Sequence, residues 1–229
     1  MKDQYFGDFG DYQKMSLLKT LRDMGNFTTL VHWMKTKDDG SSDGRHITYL
    51  NDPARWGAYD ADIFSFLKEK IDSGDKRSLS HIEKSSHMEG IKFIVDYIHN
   101  EEERRRISEE ILKDESINLV FFDPDNGIQI KSINSKNKHK YVLLSEIAET
   151  YKSGRSVLVY QHFGRQNRDV FIGEKSKELE GATSGVVYSI QVKHSVYFFI
   201  LHEKDTENIQ GAIASFSDRW QDLAKVRGF

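Results

Sequence analysis

Two short stretches of this sequence place reactive side chains where chemistry could be done. Phe121-Phe122-Asp123-Pro124-Asp125-Asn126-Gly127 sets two carboxylates and a carboxamide directly behind an apolar run, and Tyr160-Gln161-His162 sets an amide and an imidazole behind another. A carboxylate so placed can accept a hydrogen bond from a substrate amine or bind a cation. An imidazole that titrates near neutrality can act as general acid, general base or metal ligand. Asp123, Asp125, Gln161 and His162 are therefore the candidate catalytic residues. Each also has a plainer reading. Pro fixes φ, Asn and Gly tolerate left-handed backbone and Asp caps locally, so the first run is also good turn chemistry. The second could simply finish a strand on a backbone carbonyl.

A third anomaly lies near the start of the chain. Tyr5-Phe6-Gly7-Asp8-Phe9-Gly10-Asp11-Tyr12-Gln13-Lys14 carries glycines, acids and aromatics ahead of a Leu-rich stretch. Glycines such as Gly7 let a backbone come close to a ligand or a turn. Asp11 is the expected helix N-cap. Lys14, one turn in, could then reach an anionic group or a carboxylate. The plainer reading is an aromatic arm stapled onto the body of the protein.

The elements that must position these residues follow from periodicity. Leu17, Leu18 and Leu21 form one stripe of a helix over about 11–24, and FTTLVHWM (27–34) reads as a strand. The polar loop after it (37–45) holds Asp39 and Gly40 and has the composition of a ligand-binding loop, without G-x-G-x-x-G or a Walker lysine. Asp60 should cap a helix over 60–71. A weak strand is expected at 78–82, followed by Glu83, where an acid can take ribose hydroxyls in such folds. Residues 89–113 read as mostly helical, with Glu101-Glu102-Glu103-Arg104-Arg105-Arg106 as a solvated face. INLVFF (117–122) and SVLVY (156–160) are apolar enough for strands covered on both faces. Helices are expected at 145–152, 165–180 and 206–226, with a hairpin of 186–192 and 195–201 turning at Lys193-His194.

Alternating strands and helices give an α/β, Rossmann-like, mainly parallel sheet flanked by helices, here ending in an antiparallel hairpin of the kind found at the sheet edge of Rossmann-like methyltransferases. Residues 1–229 are expected to form one domain. In such sheets ligands bind outside the carboxyl ends of the strands, which places Asp123, Gln161 and His162 at one edge.

Composition narrows the class. Hydrophobic residues make up 38% and aromatics 12%, a globular balance. There is no cysteine, so disulfides, thiolate zinc sites and thiol nucleophiles are excluded. No apolar run approaches the roughly 20 residues of a membrane span, and a basic-then-apolar leader is missing, so a cytoplasmic protein is expected. With 33 basic against 36 acidic side chains the net charge is −3, and contact with nucleic acid would have to rest on a local patch.

The order of these pieces resembles the rRNA adenine-N6 methyltransferase family of the RlmJ type. Gly7 to Lys14 ahead of the Leu-rich helix is similar to that family's G-N-x-x-D-V-x-K-H opening, residues 33–49 stand where its cofactor loop lies, and Asp123-Pro124-Asp125-Asn126 stands where it has D-P-P-Y. The chain also looks like a set of bacterial proteins with Y-F-G-D-F-G-D-Y, D-P-D-N-G and Y-Q-H-F motifs. The methyltransferase resemblance implies S-adenosylmethionine as cofactor, a nucleic acid as partner, and Asp123 as acceptor from the exocyclic amine of a base. It implies that Asp11 and Lys14, within the run that also holds Gly7 and Asp8, help hold the cofactor. Asn126 stands in place of the family's aromatic, and the loop around Asp39 and Gly40 lacks its paired glycines. The competing class is a nuclease or phosphodiesterase in which Asp123 and Asp125, with Glu146 or His162, bind Mg²⁺ or Mn²⁺, and Lys138, His139 and Lys140 or Arg165 and Arg168 clamp phosphate. A non-catalytic binding protein of the same fold is the third.

Overall fold

A computed structural model describes residues 1–38, 40 and 44–228. Its centre is a seven-stranded sheet of β1 (Thr29–His32), β2 (Lys92–Ile94), β3 (Leu119–Phe122), β4 (Ser156–His162), β5 (Val186–Gln191), β6 (Ser195–Leu201) and β7 (Lys225–Arg227), in the order β2-β1-β3-β4-β6-β5-β7. The first four run parallel. The expected hairpin is present, with β6 inserted antiparallel between β4 and β5. The α/β, Rossmann-like expectation therefore holds.

Among the described residues eight α-helices surround the sheet: α1 (Phe9–Gly25), α2 (Pro53–Trp56), α3 (Ala61–Asp72), α4 (Ser80–Glu83), α5 (Glu101–Lys113), α6 (Leu144–Lys152), α7 (Arg168–Thr183) and α8 (Glu203–Trp220). Every residue of β3 is buried, because alternate side chains enter two separate cores. Leu119 and Phe121 join Leu17 and Leu21 of α1, Leu67 of α3 and Phe216 of α8. Val120 and Phe122 join Ile107 of α5, Ile147 of α6 and Leu179 of α7. No helix of the described residues is long and apolar enough to cross a membrane.

Four expectations change. Residues 78–82 form no strand; Ser80–Glu83 is the short helix α4. The stretch 89–113 is not one helix. Gly90 turns at φ 84°, Lys92–Ile94 pairs in parallel with β1, and Asn100 caps α5 by accepting from Glu103 N at 2.8 Å. A three-residue edge strand gains its identity from its partner, which local composition does not reveal. The last helix stops at Trp220, and residues 225–227 pair with β5 instead. The charge block is not wholly solvated either. Arg104 is buried, its Nη1 lying 2.7 Å from each Glu146 oxygen, while Nη2 donates to Lys138 O and Tyr141 O at 2.9 and 3.2 Å. It ties α5 to α6 and to the loop before α6.

Candidate active site

The sheet register decides what meets at its carboxyl edge. His32, Phe122 and Val159 stand level across β1, β3 and β4, so Asp123 emerges one residue beyond. The first turn of α1 crosses the same edge. Asp8, not Asp11, is the N-cap, its carboxylate accepting from Asp11 N at 2.9 Å. That start brings Gly10, Gln13 and Lys14, at helical spacings of three and four, to the face over the sheet edge.

A cavity of about 950 Å³ opens there. Asp8, Gly10, Gln13 and Lys14 line it from α1, Asp123 to Asn126 from the turn after β3, and Tyr160 and His162 from β4. Tyr5, Phe9, Tyr49 and Trp56 supply aromatic wall. Their arrangement is fixed by packing: Tyr12 stacks on Tyr49 with ring centres 5.5 Å apart, and Phe9 meets Tyr49 edge-on at 5.3 Å. A Cβ at position 10 would lie 3.2 Å from Asp8 Oδ1 and 3.6 Å from the Tyr160 hydroxyl, so Gly10 keeps both groups uncovered.

The floor is charged but paired. Lys14 Nζ donates to Asp123 Oδ2 at 2.8 Å, stands 3.5 Å from Asp11 Oδ1 and sits over the Tyr160 ring at 4.5 Å. Burial disfavours the ammonium, but Asp123 and Asp11 outweigh it and raise the Lys14 pKa above that of ordinary lysine. Burial also lifts the Asp8 and Asp11 carboxyls, Asp11 far above the ordinary range, against the opposing pull of Lys14. Asp125 accepts from the Tyr5 hydroxyl at 3.1 Å and lies 3.6 Å from Lys2 Nζ.

His162 is exposed at the cavity wall. Desolvation by its surroundings, and then Lys14, lower its pKa below the usual imidazole value, against Asp123 and Asp125. Gln161 has a different place. Its Oε1 accepts from Ile128 N at 2.7 Å and its Nε2 donates to His162 O at 2.7 Å, so it braces the turn after β3 and does not line the cavity. Gly127 sits at φ 85°, and a Cβ there would collide with Gln161 Oε1.

The remaining expected positions divide. Asp11 is fully buried beneath the lining, neither of its oxygens having a hydrogen-bond partner. Gly7 takes φ 79° in the turn before α1, and its carbonyl accepts from Tyr49 OH at 3.2 Å. Gly40 is exposed, with nothing within 4 Å of a Cβ built on it. Glu83 ends α4, half-buried and outside the lining. Asp39 lies outside the described residues. The edge over β1 is covered by the chain's own first residues: the Met1 amine donates to Met34 O at 3.0 Å, and Thr36 N donates to Met1 O at 2.8 Å.

A divalent ion does not fit this donor set. Asp123 and Asp125 are engaged by Lys14 and Lys2, Glu146 belongs to Arg104, and no group of three or more potential metal ligands occurs among the described residues. Of the expected phosphate clamps, Lys138 pairs with Glu101 at 2.8 Å, whereas Lys140 lines the cavity.

Sequence reasoning missed Gln13, Tyr49, Trp56 and Lys193 as lining residues. For Gln13 the signal was present, since it shares a helical face with Gly10 and Lys14. Tyr49 and Trp56 sit in elements of four residues, too short for any periodicity.

No family model matches the chain, and no curated protein matches it. Among solved structures, human methyltransferase-like protein 13 in complex with SAH is similar at 12% identity, over 96% of this chain and 94% of that one, with a TM-score of 0.34. A likeness that slight transfers neither ligand nor activity.

Proposed function

We propose that this chain is an S-adenosylmethionine-dependent methyltransferase-like enzyme acting on nucleic acid. The carrying observation is Asp123 at the carboxyl end of a central parallel strand, on the floor of a cavity walled by aromatic rings and held in place by Lys14. Ion pairing at Oδ2 orients the carboxylate and leaves Oδ1 to accept a hydrogen bond from a substrate amine. Such a bond would keep the amine's lone pair directed at an electrophile. Asn126 beside it offers a second acceptor or donor for the same group.

The lining also suits an amino-acid-bearing nucleoside. Asp8, left uncovered by Gly10, would meet an ammonium; Phe9, Tyr49 and Trp56 would meet a planar base. Because residues 1–5 cover the edge over β1, these groups would seat the cofactor toward α1 and β3. Gly40 and Glu83 would take no part. When bound, S-adenosylmethionine supplies the electrophilic methyl group.

The test combines calorimetric titration with SAH and transfer of labelled methyl groups from S-adenosylmethionine to total RNA or DNA. Saturable binding of SAH, with transfer lost in Asp123→Asn, is the expected result. An absence of SAH binding, or transfer indifferent to that substitution, would overturn the reading.

A further inference from the structure

The mouth of the cavity is charged in a different way from its floor. On the floor Asp123 faces Lys14 and Asp125 faces Lys2. At the mouth the lining includes Arg45 from the loop after β1, Lys140 from the loop before α6 and Lys193 from the β5–β6 hairpin. None of these three cations has a carboxylate within ion-pairing distance among the described residues, whereas the two cations of the floor each have one. Two of the three segments approach one another directly: the rings of His46 and His194, each next to one of the cations, lie 6.5 Å apart and within 13° of parallel. Lys140 is held on the Asn126 side of the opening, where its carbonyl accepts from Asn126 N at 2.8 Å. Like charges gathered from three separate segments, none of them paired with a carboxylate among the described residues, raise the energy of the empty mouth, and an anionic ligand relieves it.

The acceptor chemistry can be narrowed. An unpaired guanidinium and two unpaired ammonium groups around one opening suit several phosphates in succession better than one carboxylate. With Phe9, Tyr49 and Trp56 given to the cofactor's base, Tyr5 beside Asp125 is the part of the aromatic wall left to a base that has left its stack, which a single strand offers at least cost. We propose that Arg45, Lys140 and Lys193 form a phosphate-binding rim that takes the backbone of a single-stranded nucleic acid, with one base directed into the cavity. The inference deepens the functional reading above and rests on it for the fate of that base; the phosphate contacts stand independently of methyl transfer.

Three phosphate contacts make a quantitative claim. Each neutralised phosphate of a single strand contributes about −0.7 to the slope of log K against log salt, so three give about −2, or about a 20-fold loss of affinity between about 50 and 200 mM salt. The probe is a short fluorescein-labelled single-stranded RNA of mixed sequence, read by anisotropy, with the matching duplex and free AMP as competitors. The wild-type protein is expected to show that slope and to prefer the single strand. R45A, K140A and K193A should each lower it by about 0.7, and the triple variant should leave it nearly flat. Arg45 and Lys193 are exposed and Lys140 half-buried, so the variants are expected to fold, and unchanged melting curves check it.

A slope unaffected by the three substitutions would overturn the rim, as would duplex binding as tight as single-strand binding. AMP competing as well as the strand would reduce the site to one phosphate and overturn the strand proposal. Strand binding with the expected slope but without any SAH binding would leave the rim standing and remove the methyltransferase reading.

Discussion

Lys14 Nζ and Asp123 Oδ2, separated by 109 positions in sequence, meet at 2.8 Å beneath the cavity, both nearly inaccessible to solvent. The pair joins the second turn of α1 to the end of β3, the two elements that supply most of the floor. A buried pair broken on one side leaves a lone charge, which typically costs about 3–5 kcal/mol. Lys14→Met should therefore destabilise the protein by about that much, while Asp123→Asn, which keeps an acceptor for the ammonium, should cost less. Urea denaturation of the two variants checks the order. Equal, small losses would show that the pair is solvated in solution. The same argument rules out Asp123→Ala as a clean probe of chemistry, since folding would suffer with activity.

The turn after β3 yields a second expectation. Gln161 reads from sequence as catalytic, yet both ends of its amide are spent on backbone groups, Ile128 N and His162 O. Gln161→Leu leaves the buried Ile128 N–H without an acceptor, at a cost of about 1–3 kcal/mol. Gly127→Ala should be at least as harmful, because position 127 has φ 85° and its Cβ would meet the Gln161 amide. Thermal melts should show both losses. At temperatures where Gln161→Leu is still folded it should bind SAH like the wild type; a specific loss of binding would return Gln161 to the chemistry.

These residues show what the sequence does and does not disclose. Unbroken apolar runs revealed β3 and β4, because burial on both faces leaves a local trace. The position of Asp123 at a strand end followed from that alone. Its partner did not, for nothing local in Gly10 to Lys14 says which strand end the helix crosses. Asp8 and Asp11 are both acceptable caps by composition, and only the actual start of α1 at Phe9 separates them. Arg104 is a similar case. Inside a run of charges it looks solvated, and its burial depends on Glu146, which lies 42 positions away.

A buried histidine gives a pH dependence with a definite sign. His32 on β1 is 2% exposed, neither ring nitrogen has a partner, and burial, helped by the Arg104 charge, lowers its pKa to about 3. In the unfolded chain the same group titrates near 6.5. Between about pH 3 and 6.5 the unfolded state therefore holds a proton that the native state lacks, and stability rises with pH by about 1.4 kcal/mol per unit from this group. Asp11, whose carboxyl is raised, contributes in the opposite sense over the range above its ordinary value, so the informative quantity is a difference. Stability of His32→Leu should fall less steeply with acid than that of the wild type, by one proton's worth of slope below about pH 6. Parallel pH profiles would mean that His32 is protonated in the folded protein.

Gln13 carries the last prediction. It is 3% exposed and lines the cavity, and its Nε2 is buried without a hydrogen-bond partner. An amide left in that state costs the empty protein about 1–3 kcal/mol. Its terminal torsion is broad and two-fold, so a ligand acceptor can turn the donor toward the cavity. Replacement by Leu removes the unsatisfied group while keeping most of the volume. If Gln13 is kept for recognition, Gln13→Leu should leave the empty protein as stable as the wild type or more so, and should weaken binding of the strand or of SAH by about tenfold, the worth of one hydrogen bond. Loss of stability without loss of affinity would show that the amide finds its partner inside the protein, and Gln13 would then belong to the packing of α1.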